Sequence, residues 1–375
     1  MKPVYIVSWL FALAVSFVSC DDWLDKTPKD RLYPDVYFKT EDELRLFTNQ
    51  FYNNLVPSAV DIYSESSDLI VKSDLMLEMS GQRIIPDEGN GWNFTALRDI
   101  NFYLQYSHNC TEVNARNRYD GVARFFRAYF YFEKVKRYGD IPWYDKALDS
   151  DDPELYKARD SREFVMQKTL EDLDFAIANL PKTKNAYVLT RWTALALKSR
   201  VCLFEGTFRK YHGLEDYEKY LNACVSASET FMNESGYTLY KSGSTPYRDL
   251  FASINLQADE VIFGRDYEAS LSVLHNVQNY ENSTTMGRPG MNKKIVNSYL
   301  MADGSRFTDK AGYETMTFDQ ECQNRDPRLA QTIRTPGYTR IGSTKKEAPN
   351  LAYTMTGYHL IKYSMTANYD EYNKS

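Results

Sequence analysis

The sequence lacks any excess of positive charge: across 375 residues, 45 Lys and Arg stand against 51 Asp and Glu, a formal net charge of -6. A nucleic-acid partner needs a net basic face that displaces counterions from phosphate, so nucleic acid is excluded. The glycine patterns that cradle nucleotides, Gly-x-x-x-x-Gly-Lys and Gly-x-Gly-x-x-Gly, are missing, as are the nucleophile elbow Gly-x-Ser-x-Gly and the zinc helix His-Glu-x-x-His. Histidine is scarce, and His108, His212, His275 and His359 lie far apart, so a metal site would have to be assembled wholly by folding. The five cysteines form no Cys-x-x-Cys pair. No cofactor is expected. Paired carboxylates of the kind glycoside hydrolases use are set by distance in the fold, and among 51 acidic residues no chosen pair is informative. A run of ~20 apolar residues long enough to cross a bilayer is also missing.

What is abundant is the aromatic ring, at 15% of the chain with 30 tyrosines. A ring with a flat apolar face and a polar tip suits both helix cores and surfaces that grip amphipathic ligands. The N-terminus has its own chemistry. Lys2 precedes the apolar stretch Val4 to Val18, which has the length of a secretion signal, and Phe17-Val18-Ser19-Cys20 resembles a bacterial lipobox. Residues 1–19 are therefore expected to be a signal peptide, Cys20 the lipidated mature N-terminus, and 20–39 a polar tether. Cys110, Cys202, Cys224 and Cys322 read as buried thiols, although consecutive helices would permit a Cys202–Cys224 disulfide.

Helical punctuation dominates residues 40–236. Thr40-Glu41-Asp42-Glu43 has the form of a capping box, followed by Leu44, Phe47, Phe51 and Leu55 at helical spacing. A second helix is expected over Leu97 to Arg116. Val122, Phe125, Phe126, Tyr129, Phe130 and Val135 form an apolar stripe that reads as core and stops at Gly139 and Pro142. Ser161 should cap a helix running to Pro181. The next spans Thr190 to Phe208, with a small-residue face at Ala194, Ala196 and Leu197, and a further one runs from Tyr217 to Phe231. From Tyr237 the texture changes to short runs and turns, with Glu260 to Phe263 expected as a strand. The fold class is mostly α: antiparallel helix pairs in a tetratricopeptide-like α-solenoid, supporting a loop-rich lobe at 237–375 with a few short strands. Asp87-Glu88-Gly89-Asn90-Gly91 lacks the alternating Asp/Asn spacing of a calcium loop and reads as a solvated turn. Directly after it, Trp92 and Asn93 are candidates for stacking on a sugar and reading its hydroxyls.

Several ordered motifs resemble the SusD/RagB family. They are Cys20-Asp21-Asp22-Trp23-Leu24-Asp25 with Pro28; Arg124 to Phe132 followed by Tyr138-Gly139-Asp140-Ile141-Pro142; Ala194 to Val201; Asp259 to Phe263; Tyr299 to Gly304; Arg325-Asp326-Pro327-Arg328-Leu329; and Thr356-Gly357-Tyr358. The resemblance implies a non-catalytic, surface-exposed outer-membrane lipoprotein that binds an oligosaccharide or other nutrient. It implies delivery of that ligand to a SusC-like TonB-dependent transporter. It also directs attention to Tyr267, Tyr280 and Arg288, in the stretch where the family places ligand-facing loops. A peptide-binding RagB-type protein and a surface glycoside hydrolase are the alternatives. Against the family pattern, the final helix pair is expected to be missing, as the chain stops at Tyr369 to Ser375. Cys20→Ala is expected to shift the protein from the membrane to the soluble fraction, and protease added to intact cells should remove the lipidated form; survival of that form would place it inside the cell.

Overall fold

The computed structural model describes residues 36–57, 68–73, 76–87, 89, 91–273, 275, 277 and 283–364. Cys20 and its signal segment, Tyr280 and the last eleven residues lie outside the described residues. Helix α1 (Glu41–Leu55) opens with the reciprocal cap: the Glu43 amide donates to the Thr40 hydroxyl, and the Thr40 amide donates to the Glu43 carboxylate at 3.0 Å. A two-residue strand, β1 (Ile70–Val71), and a one-turn helix, α2 (Leu77–Ser80), lead to α3 (Thr95–Tyr106) and α4 (Val113–Tyr138). Gly139 ends α4 with φ 70°, a conformation that strains any residue carrying a Cβ. Ser161 caps α5 (Arg162–Asn179), and a Thr190/Thr193 capping box opens α6 (Arg191–Tyr211). Helix α7 (Tyr217–Glu234) follows. Each of α4 to α7 packs on the next, and α1 and α3 lie against α4.

The apolar stripe of α4 is core at Val122, Phe125, Phe126, Phe130 and Val135, all buried, while Tyr129 is only half-buried because it packs at the edge of that core beside a cleft. Ala194 is fully buried, and α6 and α7 approach closely at Gly206, where a Cβ would lie 2.7 Å from the Leu221 side chain. The four described cysteines are free thiols, and Cys224 lies 3.5 Å from the Ser199 hydroxyl. No described helix is long and apolar enough to cross a membrane.

The lobe beyond residue 236 carries only short elements: α8 (Pro246–Phe251), β2 (Gly290–Met291), α9 (Lys293–Ser298), α10 (Phe318–Glu321) and α11 (Pro327–Ala330). Strand β1 pairs antiparallel with β2, Ile70 opposite Met291, which ties the early chain to the lobe. A small core of Met291, Val296, Leu329, Ile333, Tyr358 and Leu360 sits beneath. Arg325 organises it in place of a sheet. Its guanidinium donates to the carbonyls of Glu321, Val296 and Tyr299 at 2.8, 2.6 and 2.9 Å and lies 3.8 Å from the Phe307 ring centre. Asp326 caps α11, with Pro327 in its first turn and Arg328 paired to the Asp326 carboxylate.

Two local expectations need correction. The helix expected over Leu97 to Arg116 is broken: Ser107–Asn109 tighten into a 3-10 turn, Cys110 is extended, and Asn109 donates its side-chain amide to the Tyr37 carbonyl. Glu260 to Phe263 is not a strand: residues 258–260 form a turn, in which the Glu260 and Val261 amides both donate to the Gln257 carbonyl, and 261–263 follow without a ladder. Single bonds from Thr238 to Asp259 and from Gly264 to Ala186 hold it in place of a ladder.

One buried polar network crosses the helical layer. Arg127 of α4 donates Nε and an Nη to the two oxygens of Asp172 of α5, at 2.6 and 2.8 Å, and its other Nη to the Asn101 side-chain oxygen of α3 at 3.2 Å. Burial works to lower the Arg127 pKa, but the Asp172 hydrogen bonds and charge outweigh it and raise it above the ordinary value. Deleting one member of such a pair leaves a buried charge without its partner. Asp172→Ala is therefore expected to lower the unfolding free energy by about 3–5 kcal/mol in urea denaturation, and a loss below about 1 kcal/mol would contradict this account.

Candidate ligand-binding cleft

Asn101 connects that network to a surface cleft. Its side-chain amide donates to the carbonyls of Tyr144 and Lys146 at 2.8 and 3.2 Å, while the Tyr144 amide donates to the Tyr131 hydroxyl at 2.6 Å. Arg98 donates to the Leu148 carbonyl at 3.1 Å. The irregular segment 142–148 is thus bound by its own backbone to α3 and α4, and it forms the floor of a cleft of about 520 Å³. The far wall is the stretch Leu155 to Arg159, fastened by Tyr144 Oη donating to the Leu155 carbonyl at 3.2 Å and Lys157 Nζ to the Trp143 carbonyl at 2.6 Å. Asp160 receives the Trp143 amide and Lys157. Burial opposes its charge, yet those donors prevail and hold its carboxyl below the usual range.

Trp92 stands at this cleft with 40% of its surface exposed. Two glycines set its backbone, Gly89 at φ 74° and Gly91 at φ 81°, and the Trp92 amide donates to the Gly89 carbonyl at 3.0 Å. Lys134 of α4 donates to the Gly91 carbonyl. The indole meets Phe94 and Tyr138 edge-on, with centroids 5.3 and 4.9 Å away, and the Arg159 guanidinium lies 4.9 Å from its centroid. Apolar side chains from Phe94, Leu97, Pro142 and Leu148 complete a lining whose charged members are Arg98, Lys146, Lys157 and Arg159.

The other candidates from the sequence are scattered. Asn93 adjoins Trp92, but its side-chain oxygen accepts the Thr95 amide at 2.8 Å in an Asx turn at the entrance to α3. Tyr267 lines a second, larger cleft of about 820 Å³ between the helical layer and the lobe, walled mainly by apolar residues including Phe125, Tyr129, Leu197, Leu256 and Phe263. There Tyr267 meets His275 edge-on at 4.8 Å. Arg288 is a structural tie: it adopts φ 51°, its guanidinium donates to the Leu351 carbonyl, and its own carbonyl accepts from Met355. Arg159, which the structure brings to Trp92, carries no signal in the sequence that separates it from the other basic residues. Among the described residues no group of three or more His, Cys, Asp or Glu is placed to hold a metal.

Comparison with known proteins accords with this architecture. The family model described as "SusD family" matches residues 227–375, and one described as "Starch-binding associating with outer membrane" matches residues 80–191. Two SusD-like proteins of Formosa agariphila are 20% identical over 297 residues, covering 71% of this chain and 52% of the relative, and 26% identical over 294 residues, covering 73% and 55%. The chain spans about half the length of the curated relatives it matches. A SusD-like protein from Bacteroides fragilis superposes with TM-score 0.71 at 22% identity, covering 91% of this chain and 72% of that one. A SusD-like carbohydrate binding protein from the same species gives 0.70 at 16% identity, covering 90% and 71%. A structure solved with xylogluco-oligosaccharide gives 0.55 at 18% identity, covering 78% and 58%.

The Trp92 loop depends on its glycines. In Gly91→Ala the new Cβ meets the Tyr138 hydroxyl at 3.3 Å in a left-handed conformation, so stability should fall by about 1–2 kcal/mol, with a shift in tryptophan emission. An unchanged denaturation midpoint and spectrum would show that the loop does not need this geometry.

Proposed function

The chain belongs to the SusD-like family, and on that premise we propose that it is a glycan-binding protein whose ligand seats in the Trp92 cleft. We place it on the outer membrane, lipid-anchored through Cys20 and facing the medium, where it hands an oligosaccharide to a SusC-like TonB-dependent transporter. The observation that carries the proposal is a partly exposed indole, braced edge-on by Phe94 and Tyr138, at the mouth of a cleft of oligosaccharide scale. A sugar presents C–H groups on one face and hydroxyls at its edge, so it matches an aromatic plate surrounded by N–H donors and carbonyls. The floor is fixed before any ligand arrives, which reduces the ordering cost of binding. The charged members of its described lining are basic, and their N–H groups suit the hydroxyls of a saccharide.

One observation favours a second reading, that the ligand is a peptide: the apolar walls of the 820 Å³ cleft would accept aliphatic side chains better than sugars. Titration calorimetry with neutral and acidic oligosaccharides and with mixed-sequence peptides separates the two. Trp92→Ala is expected to weaken oligosaccharide binding by about 1–3 kcal/mol while moving the melting temperature by no more than a few degrees. A large drop in melting temperature with unchanged affinity would make Trp92 a packing residue and sink the proposal.

A further inference from the structure

The charged side chains that line the Trp92 cleft are all basic although the protein is acidic. They are Arg98, Lys146, Lys157 and Arg159, against a net charge of -6 for the chain. Three of the four have carboxylates beside them: Lys146 is 2.9 Å from Glu154, Lys157 is 2.8 Å from Asp160, and Arg98 is 3.7 Å from Asp149. Arg98 and Lys157 also hold main-chain carbonyls, so their N–H groups serve the wall itself. Arg159 differs from them. It is exposed, forms no ion pair among the described residues, and lies over the partly exposed Trp92 ring, 4.9 Å from its centre.

A guanidinium is a planar fork of N–H donors that matches the two oxygens of a carboxylate or sulfate, and it keeps its charge at every physiological pH. Set against an indole, it provides for both parts of an acidic sugar: the ring stacks on Trp92 while the anionic substituent at its edge meets Arg159. A neutral sugar would leave that charge unused. Resting on the glycan-binding reading above, we infer that the ligand of this cleft is an acidic saccharide, carrying a uronate carboxylate or a sulfate ester. Lys146 and Lys157 are each paired with a carboxylate, so Arg159 carries the preference.

The test uses the full chain and three sets of oligosaccharides: oligogalacturonides, the same oligomers with their carboxylates reduced to alcohols, and sulfated galactan oligosaccharides. Calorimetry at low and physiological salt is expected to show at least tenfold tighter binding of one acidic set than of the reduced oligomers. That preference should shrink as salt rises, because an exposed charge is screened over about 8 Å. Arg159→Gln should bring the acidic-to-neutral ratio below about threefold, and Arg159→Lys should restore part of it. Preference for galacturonides identifies a carboxylate and preference for sulfated oligomers identifies a sulfate. Equal affinity for acidic and reduced oligomers, or a preference that survives Arg159→Gln, overturns the inference while leaving glycan binding intact and Arg159 merely a prop for Trp92. If no saccharide of either charge binds in a Trp92-dependent way, the glycan-binding reading falls and this inference with it.

Discussion

The buried pair of Arg127 and Asp172 is the interaction on which the rest of the architecture depends. An ion pair removed from water repays its desolvation only when nearly all of its hydrogen-bonding capacity is used. Here that requirement reaches outward: the spare Arg127 N–H goes to Asn101, and the Asn101 amide goes to two carbonyls of the 142–148 segment. Three helices and an irregular loop are fixed by one guanidinium. The stacked rings of Tyr131 and Trp143, 4.2 Å apart, lie alongside, with Arg127 itself 5.1 Å from the Trp143 ring centre. A loop with no ladder or helix of its own thereby becomes a rigid cleft floor.

This explains which parts of the molecule are legible in the sequence. The motifs that reveal the family turn out to be contacts of the scaffold. Arg127 sits within the Arg124 to Phe132 motif; Ile141 of the following turn is fully buried and bridges to Asp160; Arg325 begins the Arg-Asp-Pro-Arg motif and pins the lobe. Tyr358 of the Thr-Gly-Tyr motif donates its hydroxyl to the buried Glu321 carboxylate at 2.8 Å. Caps at Thr40 and Ser161 are equally readable, because a cap needs only residues within three positions of each other. The fold is therefore written in local chemistry and in a few charged residues with fixed partners.

What remained hidden required tertiary information. The break at Ser107 to Glu112 arises from the Asn109 contact with Tyr37, 72 residues away, which no local pattern encodes. The turn at Glu260 carries strand-like residues, but its amides fold back onto Gln257. Trp92 draws attention in the sequence as a large aromatic between a glycine turn and a helix, whereas Arg159 is one basic residue among 45 until the fold sets it against the indole. Tyr267 and Arg288 share a stretch of sequence, but one lines the larger cleft and the other ties the lobe to Leu351.

The central claim, that the ligand seats on the Trp92 cleft, is tested most directly by hydrogen–deuterium exchange on the full chain with and without a saturating oligosaccharide. The account predicts slowed exchange in residues 91–101 and 142–159, the stretches that meet around Trp92, with little change in 250–267. Protection confined to 250–267, beside the larger apolar cleft, with none around Trp92, would contradict it.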